Sequence, residues 1–291
     1  MAVTDIPVDL LNPGQVFACL GFLEAADTLL GDAQGRFESN GTSSARFFMQ
    51  AKTRSNPFEE VLEFLCAAKA YATVSAGSRH TTEKWGVPTL IMENDAPVPM
   101  PDPKTPATLP AQLKDATGRQ LTIGHWGDMT ARDTVKFWAG AGGYPGAALA
   151  RDALGLIRDL PRTAINDPFS FGAHQSSSFR FDWRRDYISM NVGFSPNEHG
   201  EMTMLGYPLV ELLAAIGLEN ARPERVHKLE YRYGVIESFE ESCLLSPALF
   251  RAALGCASLP FPLRTFRMRL DWPGQENQAR CIADVFEEKL S

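Results

Sequence analysis

Phe179, Phe181 and Trp183 alternate with Arg180, Asp182 and Arg184, and Arg185 follows directly. A period of two predicts a strand with rings on one face and charges on the other. Guanidinium groups at such fixed spacing are rigid forked donors suited to phosphate oxygens or base edges. The alternation returns in residues 263–272, where Phe266, Met268, Leu270 and Trp272 oppose Arg267, Arg269 and Asp271, with Arg264 close by. A weaker version over 227–235 sets Leu229, Tyr231, Tyr233 and Val235 against Lys228, Glu230 and Arg232. Three such strands side by side make a local basic surface. The competing reading pairs each arginine with a nearby carboxylate: Asp182 and Asp186 flank the first group, and Glu224, Glu230, Glu237, Glu240 and Glu241 crowd the others. Exposed pairs of that kind contribute only ~0–1 kcal/mol, so they neither support nor exclude a binding role.

A glycine-rich stretch adds a second candidate. Lys136 and Trp138 precede Gly140, Gly142, Gly143 and Gly146, and a helix is expected over 145–159. Glycines admit a phosphate close to the backbone, and a helix start offers unpaired amides. Pro145 stands where the last glycine of a dinucleotide fingerprint belongs, and no Gly-Lys-Ser/Thr follows. A tight entry turn packed on Trp138 explains the stretch equally well.

Catalytic signatures are missing from the sequence. The five histidines, at 80, 125, 174, 199 and 227, form no metal-ligand spacing. His174 beside three serines is the one candidate for acid–base chemistry on RNA, and a solvated histidine is the plainer reading. No catalytic residue, metal ligand or cofactor is assigned.

The 291 residues carry 35 acidic against 28 basic side chains, a net charge of −7. That balance disfavours a free-standing nucleic-acid binder but not a subunit touching nucleic acid through one patch within an assembly. The five cysteines are scattered and mostly set among apolar residues, as core thiols in a reducing compartment are. The N-terminus lacks the layout of a signal peptide and no apolar run reaches the ~20 residues of a bilayer span, so a cytoplasmic protein without membrane contact is expected.

The elements positioning these residues follow from local signals. Asn12-Pro13 and Asn56-Pro57 start helices, the first running to Leu30 and stopped by Gly31, the second reaching about Thr73. Gln15 sits where a capping-box partner reaches back. Residues 46–50 read as a strand, as does a short stretch near Leu121. Further helices are expected over 208–218 and after Ser246-Pro247, and a last strand pair is joined through Trp272-Pro273-Gly274-Gln275. Six prolines between Glu93 and Leu113 argue against helix or central strand there. The resulting expectation is an α+β fold, with mixed helices and largely antiparallel sheet, in two lobes. Residues 1–95 form the first, 96–113 a linker or surface loop, and 114–291 the second, which carries the basic strands.

Five segments resemble the large-subunit (Cas-eight type) family of type I-U, also called type I-G, CRISPR Cascade complexes. They are residues 6–31 (IPVDLLNPGQVFACLGFLEAADTLLG), 136–154 (KFWAGAGGYPGAALARDAL), 176–188 (SSSFRFDWRRDYI), 206–223 (GYPLVELLAAIGLENARP) and 263–275 (LRTFRMRLDWPGQ). The resemblance implies a non-catalytic subunit of an RNA-guided surveillance complex, seated near the crRNA 5′ end. It would lie beside Cas-five/six-type and Cas-seven-type subunits, inspect the protospacer-adjacent motif and help open target DNA for a separate helicase–nuclease. In such complexes the guide carries most sequence information and the protein reads a short duplex motif and backbone. On that expectation Arg180, Arg184, Arg185, Arg264, Arg267 and Arg269 contact phosphates or the motif, and Lys136 and Trp138 contact backbone or a flipped base. Two alternatives remain open: a metal-independent CRISPR RNA-processing endoribonuclease using His174, and a structural bridge between other subunits.

Overall fold

The computed structural model describes residues 3–92, 106–127, 144–184, 204–236, 243–271 and 281–288. Within them the chain is α+β, with five α-helices and mostly antiparallel sheets. Strand β1 (Thr4–Asp9) leads into helix α1 (Pro13–Leu29), which starts at the Asn-Pro step as expected. The capping detail differs. Asn12 makes no side-chain cap bond, and Gln15 Oε1 accepts from the Asp9 amide at 2.7 Å, not from Asn12. Because α1 is apolar almost all round, it is buried from Pro13 to Ala26. Its buried Glu24 is matched by the Arg251 guanidinium, which donates at 2.6 Å.

Strands β2 (Gln34–Ser39) and β3 (Ser44–Gln50) complete a three-stranded antiparallel sheet in the order β1-β3-β2. Helix α2 (Pro57–Ala67) is capped by Asn56, whose Oδ1 accepts from the Phe58 amide at 3.0 Å. It ends earlier than expected. Ala68 turns extended and strand β4 (Lys69–Ser75) follows, because Tyr71, Thr73 and Val74 favour a pleated, half-buried surface over a helix.

With β5 (Thr89–Met92), β6 (Ala111–Lys114) and β7 (Gln120–Ile123), β4 builds a sheet in the order β5-β4-β6-β7. This revises the expected 96–113 linker. Residues 93–105 lie outside the described residues, but Ala111 to Leu113 belong to an interior strand, with Ala111 and Leu113 fully buried. Prolines stop at Pro110, whose carbonyl accepts from the Thr73 amide at 2.9 Å, so the ladder needs no donor that proline lacks. One hydrophobic core runs across the expected lobe boundary, joining Val74 and Leu113 with Leu154 and Leu212.

Helix α3 (Gly146–Ile157) packs on β4 and β6; the two-stranded pair β8 (Ala173–Gln175) and β9 (Met204–Gly206) precedes helix α4 (Pro208–Gly217). Helices α1 and α4 cross with almost no side chain between them. A Cβ on Gly21 would lie 1.9 Å from the Leu213 carbonyl oxygen, and one on Gly217 would lie 2.2 Å from that of Phe17.

The last sheet has the order β10 (Glu224–His227), β11 (Glu230–Ile236), β12 (Leu263–Asp271) and β13 (Cys281–Glu288), antiparallel throughout, with α5 (Pro247–Leu254) packed on β11. The expected strand over 227–235 is therefore two strands, reversed by a turn at Lys228-Leu229. Tyr231, Tyr233, Phe266 and Met268 face the core, as their alternation predicts.

Candidate nucleic-acid interface

The most informative expected strand is not one. Phe179 and Phe181 are fully buried, stacked with ring centroids 5.9 Å apart, but Arg180 between them adopts a left-handed φ of +67°. The alternation then breaks: Asp182 is buried and Trp183 is 41% exposed. The cause is a carboxylate that replaces a neighbouring strand. Glu211, buried in the first turn of α4, accepts from the Phe181 amide at 2.9 Å and the Asp182 amide at 3.2 Å. Asp182 in turn accepts from the Asn12 side-chain amide at 2.9 Å and from Arg184 Nη2 at 2.6 Å.

Arg184 is therefore not presented outward. Besides its fork on Asp182, it donates to the Phe169 carbonyl at 2.8 Å and lies 3.6 Å from the Tyr207 ring centroid. Arg180 is half-buried at its left-handed position. Lys136, Trp138 and Arg185 lie outside the described residues. The glycine-rich stretch enters them only at Tyr144, whose hydroxyl donates to Asp152 at 2.7 Å, and at Gly146, the first residue of α3.

The β10–β13 sheet does carry an arginine-bearing outer face. Antiparallel register places Glu224, Arg232, Arg267 and Phe286 in one row across the four strands. His227, Glu230, Arg269 and Asp284 form the next. Arg232 and Arg267 are direct cross-strand partners, an arrangement that repels unless a carboxylate intervenes. Glu288 intervenes. It accepts from Arg267 Nε at 2.6 Å and from both Nε and Nη2 of Arg232. The Arg232 hydrogen bond, aided by Arg267 and opposed by partial burial, holds the Glu288 carboxyl below the ordinary carboxylate range. Glu230 adds a contact to Arg267 at 3.4 Å, and Glu224 one to Arg232 at 3.1 Å.

Four carboxylates (Glu224, Glu230, Asp284, Glu288) thus meet three guanidinium groups (Arg232, Arg267, Arg269) on the described face, which is charge-balanced and not basic. Arg269 is the most loosely held: 60% exposed, with Asp284 at 3.9 Å. Arg264 falls on the opposite, core-side parity. Its fork takes Glu287 at 2.6 and 2.8 Å, and Nη1 donates to Ser39 Oγ and the Thr42 carbonyl at 2.9 Å each. It clamps β12 to the β2–β3 connection. The expected trio of basic strands reduces to two neighbours, β11 and β12.

His174 stands exposed on β8; of the serines that follow it, Ser177 donates to Asp152 at 2.8 Å. Among the described residues no group of three histidine, cysteine, aspartate or glutamate side chains is placed to hold a metal ion. Nor is any described helix long and apolar enough to cross a membrane.

No protein-family model, curated protein or solved structure matches the chain.

Glu288 and Asp284 carry much of this charge balance, yet sequence reasoning passed over them. The signal was present but faint: residues 281–288 alternate imperfectly, with Ala283 and Phe286 exposed and Ile282 and Val285 buried.

Proposed function

We propose that the chain is a non-catalytic large subunit of a type I CRISPR RNA-guided surveillance complex, reading the protospacer-adjacent motif and helping to open target DNA. The observation carrying this reading is the extended likeness of five segments, together with the way four of them meet. Residues 6–31 supply Asn12, residues 176–188 supply Asp182 and residues 206–223 supply Glu211, all in one buried network. Residues 263–275 join it through Phe266, stacked 5.3 Å from Tyr233, which packs 5.7 Å from Phe17 and donates to the Leu10 carbonyl at 2.8 Å. The likeness therefore covers the packed centre of the chain, where a fold is specified, more than its exposed side chains.

In this role the chain associates with crRNA, with Cas-five/six-type and Cas-seven-type subunits and with target DNA, and hands the opened strand to a separate helicase–nuclease. On the described sheet, Arg269 is the best candidate to exchange its carboxylate for a phosphate, with Arg267 second. Trp183 offers a separate exposed aromatic face, and Lys136, Trp138 and Arg185 remain part of the proposal.

A second reading, a bridge between other subunits, is favoured by one observation: the sheet arginines are already matched by carboxylates. Assembling the complex with and without this chain separates the two. If assembly survives and target-duplex binding fails, the chain recognises DNA; if assembly itself fails, it bridges. Within an assembled complex, Arg267→Ala/Arg269→Ala should weaken binding to every target sequence and shallow the salt dependence by about one unit per lost phosphate contact. Unchanged affinity removes this face from the interface.

A further inference from the structure

Strand β5 pairs with β4 only from Ala72 onward, so the edge of β4 over Lys69–Tyr71 is left open on that side. A recess of about 200 Å³ occupies the space, lined by Lys69, Tyr71, Gly86, Pro88, Arg151 and Arg158. Its cations differ in standing. Arg151 is consumed structurally: it forks onto Asp152, donates to Tyr144 Oη at 3.0 Å and also holds the Trp85 carbonyl. The Lys69 and Arg158 side chains are exposed and form no ion pair or hydrogen bond with any described residue. Lys69 is moreover the direct cross-strand partner of Lys114, likewise exposed and unpaired. Like charges placed opposite one another cost stability; Lys114, on β6, does not line the recess, but an anion held there by Lys69 offsets part of the repulsion. The adjoining recess contains Glu59 and Glu63, and neither makes an ion pair with Arg158.

We propose that this recess binds the phosphate groups of a nucleotide or single-stranded nucleic acid, with Lys69 and Arg158 as the charge partners and Arg151 as the fixed wall. The size suits a phosphate with part of its sugar, and the alternation that turns the Ala72 amide to Pro88 and the Thr73 amide to Pro110 leaves the Ala70 amide facing the open edge beside it. Arg158 adds a planar fork, which matches phosphate geometry better than an ammonium does. The site is separate from the β12 arginines and does not depend on the complex-subunit reading.

The test uses the full chain and two probes, fluorescein-labelled oligothymidylate followed by anisotropy and inorganic pyrophosphate as competitor. Lys69→Glu/Arg158→Glu should weaken oligonucleotide binding at least tenfold and lower the salt slope by about 0.7 per lost contact, whereas Arg54→Glu, an exposed cation elsewhere, should change it less than twofold. Displacement by pyrophosphate identifies a free phosphate as sufficient ligand; resistance to it identifies the polymer. Should the double reversal disturb folding by circular dichroism, Lys69→Gln and Arg158→Gln, each expected to weaken binding about threefold, replace it. The proposal is overturned if the wild-type chain binds neither probe, or if the charge-altered variants bind within twofold of it.

Discussion

The Asn12 side-chain amide donates to Asp182 Oδ1 at 2.9 Å, joining residues 170 positions apart at the start of α1. Arg184 completes the arrangement from the exposed side at 2.6 Å, so a buried carboxylate is answered by one neutral donor and one charged fork. Removing one member of such a buried set leaves its partners unpaired, and that loss exceeds the interaction's net contribution. Asp182→Ala should destabilise the chain by about 3–5 kcal/mol in urea unfolding. Trp183→Ala, one position on but 41% exposed, should cost less than about 1 kcal/mol. Equal costs at the two positions would show that the network does not hold the segment.

Two helix glycines make opposite predictions. Gly21 faces the Leu213 carbonyl so closely that an added methyl would force α1 and α4 apart, and Gly21→Ala should destabilise by about 1–3 kcal/mol despite alanine's better helix propensity. Gly155 in α3 is exposed with nothing within 4 Å of an added Cβ. There propensity acts alone, and Gly155→Ala should stabilise by about 0.5–1 kcal/mol. Thermal unfolding of both variants checks the pair.

How much of this was legible in the chain depends on how local each cause is. The starts of α1, α2, α4 and α5 were readable because proline in the first turn acts within a few residues. Strand β12 was readable because one face is buried and the period is strict. The turn at Arg180 was not, since Glu211 and Asn12, which draw it out of a strand, lie far away in sequence. Strands β1 and β2 also escaped, with Pro7 and Gly35 interrupting their patterns. The arginine rows were correctly placed on β12, and Glu224 and Glu230 were legible as carboxylates set against them, but the chief partner was not, because only the register sets Glu288 beside Arg232 and Arg267.

Glu288 also gives the outer sheet an acid-sensitive tie. Its carboxyl, like that of Glu287 bonded by Arg264, is held below the ordinary value of 4.5. A depressed folded-state value means stability that is fully present above the unfolded value and lost as pH falls through the folded one. Glu288→Gln should therefore lower stability at pH 7 and make little difference well below pH 4, where both chains lack the charge. A stability difference that stays constant across that range would assign the role of Glu288 to packing instead of charge.

Glu219 should behave in the opposite sense. It follows the C-terminal end of α4 and meets the end of β7, where the Gly124 amide donates to it, and burial is the first cause that pushes its carboxyl above the ordinary value of 4.5. The Gly124 bond and the Arg222 charge oppose that shift without cancelling it. An acid raised in the folded state contributes its stability below the unfolded value and loses it as pH climbs through the folded one. The ionised form at neutral pH is thus a cost that a neutral isostere avoids. Glu219→Gln keeps a carbonyl oxygen to accept from Gly124, so the variant should be the more stable at pH 7, with the gap closing as pH falls towards 4. Urea titrations at pH 7 and pH 4 measure that gap, and a variant less stable at pH 7 would mean that the attraction to Arg222 outweighs the desolvation of the carboxylate.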